Sequence, residues 1–180
     1  MSETPDQIPI FPLWPGRALR LAPLRPLQLG LNRFVARLAR EHPKMFRRLG
    51  EHGAKRFEID PVDLPVVILL EPREGAPRVT LARATQPHDA RIAGPLAALL
   101  GMVHGAYDGD ALFFSRDLVI EGDTAAVLAL RNAIDAAELD LAAEIEALAG
   151  PARGMVERIV ALAEKRTGVA LTRHEEAEAW

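Results

Sequence analysis

The sequence predicts an α+β fold: a mainly antiparallel sheet covered by helices, preceded by an N-terminal Pro-rich and helical extension. Three observations predict it. Segments 56–60, 65–71 and 78–84 carry β-type patterns with no helical pattern between them, which argues for a meander. A sharp change from β-type to helical sequence falls at Gly122. Amphipathic helical spacing flanks this body on both sides. A chain of 180 residues suffices for one domain with a real core plus an extension.

In chain order, residues 8–26 are apolar, basic and Pro-rich, with Trp14, Arg17, Arg20 and Arg25 among them. Pro9, Pro12, Pro15, Pro23 and Pro26 forbid one continuous helix, because proline lacks the amide donor and clashes with the preceding turn. Exposed, such a segment is sticky, so it must pack on the body, a partner or a membrane surface. Residues 27–42 form an amphipathic helix with Leu27, Leu31, Phe34, Val35 and Leu38 on one side and Arg33, Arg37 and Arg40 on the flanks and far side. Pro43 ends it. A short helix over 44–51 turns Met45, Phe46 and Leu49 inward, and Gly53 stops it.

The body begins at Arg56. Segment 56–60 alternates as a half-buried strand, 65–71 is apolar on both faces, and 78–84 alternates again with one wet face. Residues 85–94 read as irregular. Residues 95–103 form a short apolar helix with Pro95 in its first turn. Leu112-Phe113-Phe114 and Leu118-Val119-Ile120 read as a tight hairpin or one bulged strand. After Gly122, Asp123 and Thr124 are good N-caps, because their oxygens accept unpaired amides of a first helical turn. The helix that follows puts Val127, Leu130, Ile134 and, less regularly, Leu128 on its apolar side, with alanines filling much of the rest. Helical spacing returns over 138–149 and 152–166, and 167–180 is an acidic, loose tail. The expected division is an extension over 1–55, a body with its C-terminal helix over 56–166, and the tail over 167–180.

The net charge of −3 hides an asymmetry. Residues 1–56 hold 11 basic and 4 acidic side chains, while 57–180 hold 11 basic and 21 acidic ones. A basic front and an acidic body suggest a front that meets something anionic, such as lipid headgroups; the plainer reading is that the front helices cover the body and their arginines are merely solvated. Nucleic acid is not expected, because few aromatics are present to stack bases and no binding motif appears. The absence of cysteine excludes disulfides, thiolate metal sites and cysteine nucleophiles. No run approaches the length of a membrane span, and the acidic, polar first residues do not read as a secretory signal. The expected location is cytoplasmic, with peripheral contact at the inner face of the membrane.

No catalytic constellation is visible. His42, His52, His88, His104 and His174 lack metal-ligand spacing, and His88-Asp89 reads as a surface turn. Ser115 lacks a nucleophile-elbow setting, and no glycine-rich phosphate loop occurs. The expectation is a non-catalytic binding module without cofactor or metal.

The antiparallel strands, the short apolar helix and the Leu-Phe-Phe hairpin with Ile-Glu-Gly-Asp-Thr together resemble the sterol carrier protein type-2 lipid-binding domain. The run from Leu112 to Thr124, followed by Asn132, Asp135-Ala136 and Glu138-Leu139, is similar to the UbiT-type accessory factors of bacterial ubiquinone biosynthesis. The resemblance implies helices roofing a sheet around an apolar tunnel that carries isoprenoid quinone intermediates or phospholipid. It also implies partnership with peptidase-U32-like iron–sulfur hydroxylation proteins in oxygen-independent ubiquinone synthesis. On that footing, the inferred tunnel wall comprises Leu96, Leu99, Leu100 and Val103, then Phe113, Leu118 and Ile120, then Val127 and Leu130. Taken singly, each fits plain core better than ligand contact. The inferred membrane or partner contacts are Trp14, Arg17, Arg20, Arg25, Arg33 and Arg37. The alternative is a protein-interaction scaffold of the same fold with a filled core.

Overall fold

The computed structural model describes Arg20, residues 23–104, residues 118–137 and Leu139. Helix α1 spans Leu24–Glu41 and α2 spans Pro43–Arg48. His42 separates them with a non-helical backbone (φ −119°, ψ 55°), and Pro43 opens α2, where its missing amide would have had no helical partner. Pro43 therefore ends α1 as its chemistry requires. A 3-10 turn, Gly50–Ala54, follows, and Gly53 lies buried inside it rather than beyond a helix end.

Among the described residues five strands come next or later: β1 Phe57–Pro61, β2 Val67–Glu71, β3 Arg78–Ala82, β4 Ala90–Gly94 and β5 Val119–Gly122. They form one sheet in the order β3-β2-β1-β4-β5. The first three are the expected meander, with Phe57 opposite Leu70 and Leu70 opposite Val79. β4 pairs antiparallel with β5 but parallel with β1, from Phe57 beside Ala90 to Pro61 beside Gly94. The reading of 85–94 as irregular is thus corrected. Ala90-Arg91-Ile92-Ala93-Gly94 has one β-branched residue and no strong alternation, so it carries little local strand signal. Its strand character comes from being paired on both sides within the sheet.

Helix α3, Leu96–His104, and helix α4, Thr124–Asp135, pack against the sheet together with α2. Pro95 precedes α3, and its carbonyl accepts from the Leu99 amide at 3.1 Å. The first amide of α3, on Leu96, donates 3.0 Å to Asp63 Oδ1 in the β1–β2 turn, so the cap comes from a remote loop. At α4 the cap is local: Asp123 Oδ1 accepts from the Ala126 amide at 3.0 Å.

α1 runs along the edge of β3 rather than across a face. Asn32 Nδ2 donates to the Val79 carbonyl at 2.6 Å, and the Val79 amide donates to Asn32 Oδ1 at 2.9 Å. The Leu81 amide donates to Gln28 Oε1 at 3.2 Å. Side-chain amides thereby complete an edge strand whose backbone would otherwise be open. This placement corrects the expected stripe. Leu38 alone is buried, Leu31, Phe34 and Val35 are half-buried, and Leu27 is 49% exposed.

Candidate functional site

Side chains alternate across a strand, so the paired strands present two chemically distinct faces. One face carries Phe57 and Ile59 from β1, Ala90 and Ile92 from β4, Leu70 from β2 and Ile120 from β5, all packed into one apolar cluster. The helices close over it with Phe46 of α2, Ala98, Leu99 and Met102 of α3, and Ala126, Val127, Leu130 and Ala133 of α4. The charged side chains of β1 and β4, Glu58, Asp60 and Arg91, alternate to the other face of the sheet. Ala98, Ala126 and Ala133 are essentially fully buried, so the helices approach the sheet there with minimal side chain. The region is a buried interior lined by apolar side chains.

The structure brings together part of the expected wall. Leu99, Leu118, Val127 and Leu130 are buried members of the cluster, and Ile120 is half-buried against it. Leu96 and Leu100 are half-buried. Phe113 and the side chain of Val103 lie outside the described residues, as do residues 112–114 of the expected hairpin. So do Trp14, Arg17 and the helical stretches expected over 138–149 and 152–166, Leu139 apart. Arg20, Arg25 and Arg33 are exposed, whereas Arg37 is half-buried and pairs with Glu41 at 2.9 Å one turn on. Leu128, placed on the apolar side of α4, is 47% exposed, because 127, 130 and 134 already define the inner face.

The opposite face of the sheet holds a polar knot that the alternation of 56–60 did not reveal. Glu58, read as part of a half-buried strand, is fully buried. Its Oε2 accepts from the Gln86 amide at 2.6 Å, and its Oε1 lies 3.4 Å from Arg91 Nε and 3.8 Å from His88 Nδ1. Arg91 also bonds Asp60 at 2.5 Å and Glu121 at 2.6 Å. These bonds, Asp60 foremost, hold the Arg91 guanidinium above its ordinary pKa against the opposing effect of burial. His88, read as a surface turn, is half-buried with Nδ1 against the Gln86 carbonyl at 2.8 Å. The missing signal was register. Only the parallel pairing of β1 with β4 puts Arg91 beside Glu58.

The Ile-Glu-Gly-Asp-Thr motif has a mechanical role. Gly122 adopts φ +80°, and a Cβ there would collide with the Asp89 carbonyl oxygen. That close approach lets the Asp123 amide donate to the same oxygen at 3.0 Å. Asp89 Oδ2 in turn accepts from the Arg56 amide at 2.7 Å. Asp123 caps α4 and pairs with Lys55 at 3.4 Å. The Ala126 amide, and secondarily Lys55, hold its carboxyl below the ordinary range. One motif thus ties β5, α4 and the entry to both β1 and β4 into a single junction.

Among the described residues, no group of three His, Asp or Glu side chains is placed to hold a metal ion, and no helix is long and apolar enough to cross a membrane. The family model for SCP-2 sterol transfer matches residues 31–135, more than half the chain. The chain belongs to the SCP-2 sterol transfer family. The match starts inside α1 and ends with α4, so it takes in every strand of the sheet. No curated protein matches this SCP-2 chain. Among solved structures, a "UbiJ-SCP2 Ubiquinone synthesis protein" superposes with a TM-score of 0.54 at 18% identity, covering 65% of this chain and 96% of that one. Sterol Carrier Protein 2 from Yarrowia lipolytica gives 0.43 at 13% identity, covering 58% and 87%. The protein TT1886 from Thermus thermophilus, titled as possibly a sterol carrier protein, gives 0.41 at 16%, covering 58% and 84%. The first of these likenesses supports the SCP-2 fold.

Proposed function

We propose that this SCP-2 domain is a non-catalytic accessory protein that holds the tail of an isoprenoid quinone precursor, or a phospholipid acyl chain, between its sheet and helices α2–α4. The observation that carries the reading is the segregation of the two sheet faces. All described ionic side chains of β1 and β4 lie on the face away from the helices, while Phe57, Ile59, Ala90 and Ile92 of the same strands face them. A polyprenyl tail gains about 0.8 kcal/mol for each buried methylene, so a dry apolar space is what it requires. Leu96, Leu99, Leu100, Val103, Phe113, Leu118, Ile120, Val127 and Leu130 are the proposed wall.

The family membership supports a lipid ligand. The fold of the UbiJ-SCP2 structure and the similarity of the 112–124 run to UbiT-type factors support placing the role in oxygen-independent ubiquinone synthesis, beside peptidase-U32-like iron–sulfur proteins. We infer that the N-terminal extension, over 1–55 with Trp14, Arg17, Arg20, Arg25, Arg33 and Arg37, meets the anionic inner surface of the cytoplasmic membrane. Native mass spectrometry of protein purified without detergent, with organic extraction, tests the ligand. A polyprenyl-phenol or phospholipid near one per chain is expected. Protein that is empty and also refuses labelled quinone precursor and phospholipid would replace this reading with a filled-core scaffold.

A further inference from the structure

We infer that the His52 ring is the polar anchor of the lipid site: its buried Nδ1 hydrogen-bonds the oxygen on the head of a polyprenyl-phenol whose tail lies in the apolar cluster. The inference rests on the reading that this cluster holds an isoprenoid chain, and adds the side chain that orients it.

Two observations carry it. First, the nitrogen is unanswered. Among the described residues, five buried side-chain atoms make no hydrogen bond: Arg37 Nε, His52 Nδ1, Glu58 Oε1, Arg91 Nε and Arg131 Nε. The arginines and Glu58 all belong to ion pairs. Arg37 pairs with Glu41 at 2.9 Å, Arg131 with Asp135 at 3.5 Å, and Glu58 Oε1 faces Arg91 Nε at 3.4 Å. His52 has no such pair, and a buried polar atom without a partner is costly and uncommon in native folds. The backbone of the residue is served, because its amide donates to the Leu49 carbonyl at 2.9 Å and its carbonyl accepts from the Lys55 amide at 3.0 Å. His88 makes the contrast, since its Nδ1 already lies 2.8 Å from the Gln86 carbonyl. The His52 ring is half-buried, so Nδ1, which has no contact with solvent, is on its inner side.

Second, the ring stands where the apolar cluster ends. It lies in the turn between Leu49 and Phe57, both buried members of that cluster. The start of α4 is beside it. The Asp123 carboxyl is held low by the Ala126 amide, then by Lys55, then by the His52 ring, and the helix goes on to Ala126 and Val127 of the same cluster. Largely apolar pockets take their ligand's orientation from a small number of placed polar groups. A polyprenyl-phenol has one hydroxyl at the end of an apolar body. A neutral imidazole nitrogen accepts from that hydroxyl, and in the other tautomer donates to the same oxygen.

The test uses the full chain, wild type and the variants His52→Phe and His52→Asn, with farnesylphenol and with farnesylbenzene, which lacks the oxygen. Wild type is expected to bind the phenol roughly tenfold more tightly than the hydrocarbon, as one buried hydrogen bond gives. His52→Phe keeps an apolar ring and is expected to abolish that preference while binding farnesylbenzene as wild type does. His52→Asn, whose side-chain amide reaches near the position of Nδ1, is expected to keep most of the preference. On wild type alone, so whether or not the variants fold, the His52 Nδ1 resonance in nitrogen NMR is expected to move with farnesylphenol and to stay with farnesylbenzene. Equal binding of the two compounds by wild type, a tenfold preference surviving in His52→Phe, or a resonance unmoved with phenol bound overturns the anchor, and the apolar site stands. If wild type binds neither compound, the isoprenoid reading falls and the anchor with it.

Discussion

Arg91 holds Asp60 and Glu121 through hydrogen bonds and Glu58 through a 3.4 Å ion pair, and Glu58 has no solvent to fall back on. A buried charge that loses its guanidinium neighbour is far costlier than a pair replaced whole. Arg91→Met is expected to lower unfolding free energy by about 3–5 kcal/mol, read from urea denaturation. Adding Glu58→Gln should return a large part of the loss, because Gln still accepts from the Gln86 amide. A loss for Arg91→Met under about 1 kcal/mol would mean that water already serves Glu58. Asp123 makes a different prediction. Its folded carboxyl is held below the ordinary 3.8, first by the Ala126 amide and then by Lys55. A depressed folded value gives stability that is complete above the unfolded pKa and vanishes as pH falls through the folded one. Thermal midpoints should therefore drop more steeply below about pH 4 in wild type than in Asp123→Asn, which keeps an acceptor without the charge. Parallel curves would remove Asp123 from the acid response.

Among the elements, α4 is the one most fully legible in the sequence. Its cap, its start and the inner positions of Val127 and Leu130 follow from spacing and from the chemistry of Asp123. Leu128 did not, because an apolar residue next to an inner one is ambiguous until a neighbour is in place. The distinction is measurable. Ala126→Leu should cost about 1–3 kcal/mol by overpacking a fully buried position, whereas Leu128→Ala should stay within about 0.5 kcal/mol. A costly Leu128→Ala would show the outer face of α4 to be covered in solution. β4 was illegible for the opposite reason. Nothing local makes Ala90–Gly94 a strand, and partners distant in sequence do. The same distance concealed the knot at Glu58, whose partner Arg91 enters only with β4. α1 was legible as an amphipathic helix but not as one bound along an edge, since spacing reports which side is apolar and not how much of it is covered.

Over the whole molecule, the fold could be read more fully than the site. Periodicity and turn chemistry are local, and they define the meander, α3 and α4. Which side chains share a cavity or a knot depends on register and crossover, which are non-local. Spacing showed Leu99 and Leu118 only as apolar; the family resemblance grouped them with Val127 and Leu130, and the sheet order is what physically brings the four into one cluster. The same topology bears on synthesis. The β1–β2–β3 meander is contiguous in sequence and can assemble as soon as it emerges from the ribosome, while β4 arrives only after residues 62–89. Until then β1, destined for the middle of the sheet, is a bare edge with Phe57 and Glu58 on show. An unpaired edge on a half-made sheet is a template for a neighbouring chain, and non-local pairing is slow. The nascent protein thus passes through an aggregation-prone interval that closes when Arg91 reaches Glu58, so the last partner of the buried carboxylate to be translated also ends the hazard.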